Sequence, residues 1–188
     1  ELAVWEQRDE LLKALQPLAD GYDGWLQQQA AKAELLSGEL RTTALRAVDE
    51  ARDACGRIAL GIELLHTDRD ALRAFRFANR AMAMQRRATA TAALRAEGGE
   101  KPPTYAAAYA EVDARGPVAA SWYPFQLAFV LLNLCSLTDP AHKERRADST
   151  ATVDLLFFPT GGGKTEAYLG LTAYTFAIRR LQKVIGEG

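Results

Sequence analysis

The sequence has little of what metal sites and disulfide frameworks require. Its 188 residues include two cysteines and two histidines, and neither Cys55 nor Cys135 has a cysteine or histidine at metal-ligand spacing. We therefore expect no zinc site, and we interpret both thiols as buried apolar residues in a reducing compartment.

Long apolar runs are also missing. No stretch of about 18 consecutive apolar residues occurs, and no signal-peptide pattern is present. We therefore expect a cytoplasmic protein without a membrane partner. The 48% hydrophobic and 25% charged residues are typical of a globular chain with enough apolar material for a core.

The charge is almost balanced over the whole chain but unevenly distributed along it. A net charge of −1 does not by itself indicate a nucleic-acid partner. Residues 1–68 hold 7 Lys and Arg against 13 Asp and Glu, whereas residues 69–95 hold 7 Arg against Asp70 alone. The basic segment is therefore the part of the chain in which to look for a polyanion site.

Apolar periodicity predicts a helical region over residues 1–97, folded as a bundle or a long hairpin. Residues 1–36 are typical of helix with a break between Pro17 and Gly24. From Leu40 to Leu65 apolar residues recur at every third or fourth position, which predicts one helix of about 26 residues.

A further helix is predicted over residues 68–96, with Thr67 or Asp68 as its cap. Its predicted core stripe consists of Leu72, Phe75, Asn79 and Met82, and we interpret Asn79 as a buried hydrogen-bonding group. Five arginines lie on one line beside that stripe: Arg69, Arg73, Arg76, Arg80 and Arg87.

Five guanidinium groups on one line suit a phosphate backbone, and they predict a DNA-binding surface. The alternative is a solvated face that pairs with the acidic residues of 1–68. Reversing the charges of Arg73, Arg76 and Arg80 should weaken DNA binding and flatten its salt dependence. An unchanged salt slope would favour the solvated face.

Residues 98–117 read as a linker that contains a short helix over 104–114. An apolar helix is predicted from Phe125 to Leu137, after Pro124 in its first turn. The polar stretch 138–150 reads as an inserted surface loop. Residues 118–188 are predicted to begin an α/β domain of the RecA-like type.

The strongest motif is a strand, a glycine loop and a helix in that order near residue 160. The apolar run 153–158 is followed by Pro159, Thr160 and three glycines, and then by Lys164 and Thr165. Glycines let the backbone wrap a triphosphate, and the helix that starts near Lys164 adds its positive end. We predict that ATP contacts Thr160, Gly161, Gly162, Gly163, Lys164 and Thr165, with Thr165 as a magnesium ligand and Lys164 and Thr165 as the catalytic pair.

This motif resembles the first motif of superfamily 2 helicases and translocases. Phe158 stands where that family usually has a small residue, a departure that concerns packing under the loop rather than phosphate contacts. In that family a Gln that follows a Pro-aromatic pair reads the adenine edge. Gln126, after Pro124 and Phe125, is the matching residue and is a predicted ATP contact.

Residues 75–85, 122–134 and 154–171 together resemble the helicase-like A subunits of the bacterial DISARM antiphage system. The last block is the most specific of the three. The resemblance implies a large superfamily 2 ATPase with two RecA-like lobes, of which only the first strand, loop and helix lie in this sequence. It also implies DNA and a B-type DISARM subunit as partners.

We therefore expect a mainly α fragment that leads into the beginning of a RecA-like domain. No acidic second motif and no arginine finger follow Lys164, so the 188 residues alone should bind ATP poorly and hydrolyse none. Two alternatives remain open at this point. One is an unrelated P-loop enzyme, such as a kinase or signalling ATPase, and the other is a helical interaction scaffold without activity.

Overall fold

The structure is a computed structural model that describes residues 8–146, 148, 151–157 and 163–183, except for the side chains of residues 118 and 119. Within these ranges it contains helices and no strand. Two short 3-10 helices occupy Gly116–Ala120 and Lys143–Arg145. The α-helices are α1 (Arg8–Glu34), α2 (Gly38–Thr67), α3 (Arg69–Glu97), α4 (Tyr105–Ala114), α5 (Pro124–Thr138) and α6 (Lys164–Leu181).

Asp68 separates the two longest helices. Its Oδ1 accepts hydrogen bonds from the backbone N–H groups of Asp70 and Ala71, each at 2.8 Å, and so caps α3 as predicted. The predicted α3 core is confirmed, because Leu72, Phe75, Asn79 and Met82 are all buried. On α2 the predicted stripe is buried at Val48 and from Cys55 to Leu65, Ala51 is half-buried, and Leu40 is 71% exposed.

The predicted break between Pro17 and Gly24 is wrong, because α1 runs unbroken through both residues. A proline inside a helix removes one hydrogen bond and costs about 3 kcal/mol. The buried residues Leu11, Leu15 and Ala19 continue at a spacing of four on both sides of Pro17. Burial of each large apolar side chain contributes about 1.5–3 kcal/mol, so packing against α2 outweighs the loss.

One hydrophobic core joins helices from both ends of the sequence. α2 packs on α1 and α5, and α3 packs on α6 and α4. The core combines residues of α1, α2 and α3 with residues of α5 and α6, among them Leu131 and Tyr174. The division of the chain into domains stays a prediction.

The two cysteines differ in burial. Cys55 lies in the buried stripe of α2, as predicted, while Cys135 on α5 is only half-buried. Burial raises the pKa of both thiols. Both are free thiols.

The predicted strand before the phosphate loop is not found in the described residues. Residues 151–157 have no regular secondary structure, and Phe158 lies outside the described ranges. Val153, Leu155 and Phe157 are 89%, 83% and 86% exposed. A strand needs a neighbouring strand for its backbone hydrogen bonds, and residues 151–157 have none beside them in the described structure. The mainly helical fold is thus confirmed, but a strand–loop–helix unit is not.

Candidate functional site

The first turns of α5 and α6 meet at Gly163, the residue directly before α6. Gln126 in the first turn of α5 is 3% exposed, and both ends of its carboxamide form hydrogen bonds. Its Oε1 accepts from the N–H of Tyr123 at 2.8 Å, and its Nε2 donates to the C=O of Gly163 at 2.6 Å. Gln126 therefore fastens the end of the predicted phosphate loop to the start of α5.

Gly163 occupies a backbone position that suits glycine alone. Its φ is +84°, in the left-handed region, and it serves as the N-cap of α6. A Cβ added to Gly163 would lie 2.6 Å from Nε2 of Gln126. The backbone angle and this close approach both favour glycine at the point where the predicted loop enters the helix.

Lys164 and Thr165 are the first two residues of α6. Lys164 is half-buried and Thr165 is exposed. The first turn of a helix presents backbone N–H groups and the positive end of the helix dipole, which together favour an anion such as a phosphate. The other predicted loop contacts, Thr160, Gly161 and Gly162, lie outside the described residues.

A magnesium ion at the start of α6 would have few protein ligands among the described residues. Among the described residues no group of three or more His, Cys, Asp or Glu side chains is placed to hold a metal ion. Magnesium in nucleotide sites usually takes one or two protein oxygens and completes its shell with phosphate and water. Thr165, an exposed residue directly after Lys164, carries a hydroxyl that suits this mode of binding.

A cluster of charged side chains holds the segment that leads into the predicted loop. Nη1 and Nη2 of Arg57 donate to Oδ1 and Oδ2 of Asp154 at 2.6 and 2.7 Å. Nη2 also donates to Oε2 of Glu144 at 3.1 Å, and Nε lies 2.9 Å from Oε1 of Glu144 as an ion pair. The hydrogen bond with Asp154 raises the pKa of Arg57 above its ordinary value. The cluster thus joins α2, the 3-10 helix Lys143–Arg145 and residue 154.

No protein-family model matches the chain. The chain is 35% identical, over 183 residues, to the DISARM protein DrmA of Bacillus paralicheniformis. The chain is a DrmA-like sequence. The alignment covers 96% of the chain and 15% of that relative, so the chain spans a small part of the length of the protein it matches. The match confirms the resemblance found in the sequence.

The arginine stripe of this DrmA-like chain is split between exposed and half-buried positions. Arg69, Arg73 and Arg80 are exposed, whereas Arg76 and Arg87 are half-buried. Arg73 pairs with Asp70 at 3.1 Å, and Arg87 lies 3.4 Å from Asp113 on α4. Neither acid belongs to residues 1–68. The predicted DNA contacts of the five arginines stay predictions.

Two side chains near the candidate site were missed by sequence reasoning. Nη1 of Arg86, outside the predicted stripe, lies 3.8 Å from Oε1 of Glu166 in the first turn of α6. Nε1 of Trp122 donates to Oδ1 of Asn79 at 2.8 Å, and a Cβ at Gly170 would lie 2.8 Å from the Trp122 ring. The buried hydrogen-bonding role predicted for Asn79 is confirmed. Arg86 meets Glu166 because α3 packs against α6, whereas Trp122 reaches Asn79 from the segment before α5, and no local pattern indicates either contact.

The described helices offer no membrane span. None of them is both long enough and apolar enough to cross a bilayer.

Proposed function

We propose that this DrmA-like chain contributes the phosphate-binding part of an ATP site in a DNA-dependent ATPase of the helicase–translocase class. The parent protein would act in bacterial antiphage defence of the DISARM type. The match to DrmA and the glycine-lysine-threonine motif together support this proposal.

The observation that carries the proposal is the start of α6. Gly163 caps the helix in a left-handed conformation, and Lys164 and Thr165 follow it in the first turn. This order brings a lysine, a hydroxyl and a helix N-terminus to one place, as a phosphate site requires. An ordinary helix start does not need a lysine there, because positive charge is unfavourable beside the positive end of the dipole.

Each residue has a distinct role in the proposed site. The Lys164 ammonium would neutralise charge on the β- and γ-phosphates, and the Thr165 hydroxyl would ligate magnesium. Gln126, with both ends of its carboxamide in hydrogen bonds, would hold Gly163 in place. Its predicted contact with the adenine edge stays a prediction. When bound, ATP with magnesium supplies the phosphoryl group that is transferred to water.

The side-chain pattern of residues 151–157 supports a RecA-like sheet, to which this segment would contribute a strand. Val153, Leu155 and Phe157 alternate with the half-buried Asp154 and Leu156, and this period of two is that of a strand. Exposure of three apolar side chains at alternate positions is unfavourable in water. We propose that strands from the rest of the DrmA-like protein pair with this segment in a parallel sheet, and that helices on the face of that sheet cover the three side chains.

DNA and a second DISARM subunit are the proposed partners. The exposed arginines 69, 73 and 80 on α3 support a contact with a phosphate backbone. The second subunit is proposed from the resemblance to the DISARM A subunits. A cytoplasmic setting fits both partners.

The test compares ATP hydrolysis by the full-length protein with that of its Lys164→Ala variant, with and without DNA. We expect turnover that DNA stimulates, and a fall of at least about 100-fold in the variant because an interaction with transferring phosphates is lost. Lys101→Ala, in the exposed linker, is the control and should leave turnover unchanged.

Two results would count against the proposal. Turnover that survives Lys164→Ala would remove the phosphate role of α6. Turnover that depends on Lys164 but does not respond to DNA would favour a signalling ATPase over a helicase.

A further inference from the structure

Arg57 lies 97 positions before Asp154 in the sequence, yet the two form a two-bond ion pair. The pair is shielded from water, since the side chains of Arg57, Glu144 and Asp154 are 17%, 10% and 24% exposed. A guanidinium that grips both oxygens of a carboxylate fixes its orientation as well as its distance. Arg57 therefore sets the direction in which the backbone passes residue 154.

A second contact strengthens the hold on this segment. The N–H of Thr152 donates to the C=O of Glu144 at 3.1 Å, and the Glu144 carboxylate is itself held by Arg57. The chain is thus attached at residues 152 and 154 before it reaches the predicted loop. Because Arg57 belongs to α2, whose other face packs in the core, this attachment point is rigid.

The far flank of the predicted loop is held in a comparable way. Gln126 on α5 donates to the C=O of Gly163, the last residue before α6. One flank is therefore fixed to α2 and the other to α5, and these two helices pack directly against each other. Gly61 of α2 has no room for a Cβ, which would lie 2.1 Å from the C=O oxygen of Leu131 on α5.

We propose that Arg57 is a positioning residue for the ATP site. Through Asp154 and Glu144 it holds the entry to the predicted phosphate loop at a fixed place relative to Gly163. The inference rests on the proposed function, because it assigns Arg57 to the same nucleotide site. In this role Arg57 acts through the backbone that it orients and not by contact with the nucleotide.

A purely structural role for Arg57 predicts a different outcome. Loss of a buried ion-pair partner destabilises a protein whether or not a site lies nearby. A positioning role predicts in addition that ATP binds more weakly in variants that remain folded, because a small misplacement of binding groups weakens their contacts with the ligand.

The experiment measures binding of a fluorescent ATP analogue with magnesium to the full-length protein. Variants are Arg57→Met, Asp154→Asn and the double substitution, each checked for native helix content by circular dichroism. We expect each single change to weaken ATP binding by about 10- to 100-fold. The double variant should bind about as weakly as either single one, because both remove the same link.

Arg52→Met is the matched control. Arg52 lies on the same helix and pairs with Asp49 at 2.9 Å, but the two side chains are 48% and 71% exposed. Its ATP affinity should equal that of the unmodified protein. If Arg57→Met unfolds the protein, Asp154→Asn carries the test, because it keeps the side-chain volume and removes only charge.

The possible results distinguish a failure of the positioning role of Arg57 from a failure of the proposed function. Folded Arg57 and Asp154 variants that bind ATP as tightly as the unmodified protein would overturn the inference and leave the proposed function standing. An unmodified protein that binds no ATP would overturn the proposed function, and the inference with it. Weaker binding in both single variants, with no further loss in the double variant, supports the positioning role.

Discussion

The long helices α2 and α3 contrast with the stretch from residue 151 to the start of α6. Both helices satisfy their own backbone hydrogen bonds and bury a periodic apolar face against other helices of the same chain. Residues 151–157 have no regular structure and expose Val153, Leu155 and Phe157. The helices therefore find their packing partners among the described residues, whereas this stretch has apolar side chains without a partner in the described structure.

The difference has a consequence for the candidate site. A helix makes its hydrogen bonds within one segment, but a strand depends on other strands. In the described structure the flanks of the predicted loop are instead held by side chains of the helices, namely Arg57 and Gln126. The helices thus position residues 151–157, which lack strand partners in the described structure.

The largest expected effect tests this dependence at Gly163. Gly163→Ala forces a left-handed backbone on alanine and brings its Cβ to 2.6 Å from Nε2 of Gln126. We expect ATP binding by the full-length protein to fall by about 100-fold, because the turn into α6 can no longer form as it does here. Equilibrium binding of a fluorescent ATP analogue provides the measurement.

Gly99→Ala is the matched control for Gly163→Ala. Gly99 also has a positive φ, +58°, but a Cβ there would meet nothing within 4 Å. This change should lower the free energy of unfolding by about 1 kcal/mol and leave the affinity for ATP unchanged. Equal losses of ATP binding in both variants would show that backbone strain acts at a distance, and that the contact with Gln126 is unimportant.

The next effect concerns the helical part alone. A Cβ at Gly61 on α2 would lie 2.1 Å from the C=O oxygen of Leu131, so Gly61→Ala must push α2 and α5 apart. We expect a loss of about 2 kcal/mol in the free energy of unfolding, measured by urea denaturation of the 188-residue chain.

Gly56→Ala, on the same helix, should have the opposite sign. A Cβ at Gly56 would meet nothing within 4 Å, so alanine should stabilise α2 by up to about 1 kcal/mol through its higher helix propensity. A stabilising Gly61→Ala would mean that α2 and α5 do not approach each other as closely as described.

Much of the helical region was predictable from residue spacing. The stripes of α2 and α3 repeat at the helical period, and Asp68 is a helix cap by its chemistry and position. The prediction failed at Pro17, because local propensity was given more weight than the apolar face that continues through it. It also failed at Leu40, which lies in the stripe near the start of α2 but is 71% exposed.

The candidate site was predictable in its residue types but not in its contacts. The order of glycine, lysine and threonine at a helix start is a local signal, and Gly163, Lys164 and Thr165 follow it. The links from Arg57 to Asp154 and from Gln126 to Gly163 join residues far apart in the sequence. No periodicity records such pairs, and Arg57 reads on the sequence as one more charge on the polar face of α2.

The smallest expected effect concerns Trp122, whose N–H donates to Asn79 of α3 and whose ring lies beside Gly170 of α6. Trp122→Phe keeps an aromatic ring beside Gly170 but removes the N–H that donates to Asn79 at 2.8 Å. Asn79 is 5% exposed, so its Oδ1 would remain buried without this partner, and we expect a loss of about 1–2 kcal/mol in the free energy of unfolding. Trp25→Phe is the control, because Trp25 is 49% exposed and stacks on Tyr22, and it should change stability by less than about 0.5 kcal/mol. Equal losses in the two variants would mean that ring size, and not the hydrogen bond to Asn79, accounts for the contribution of Trp122 to stability.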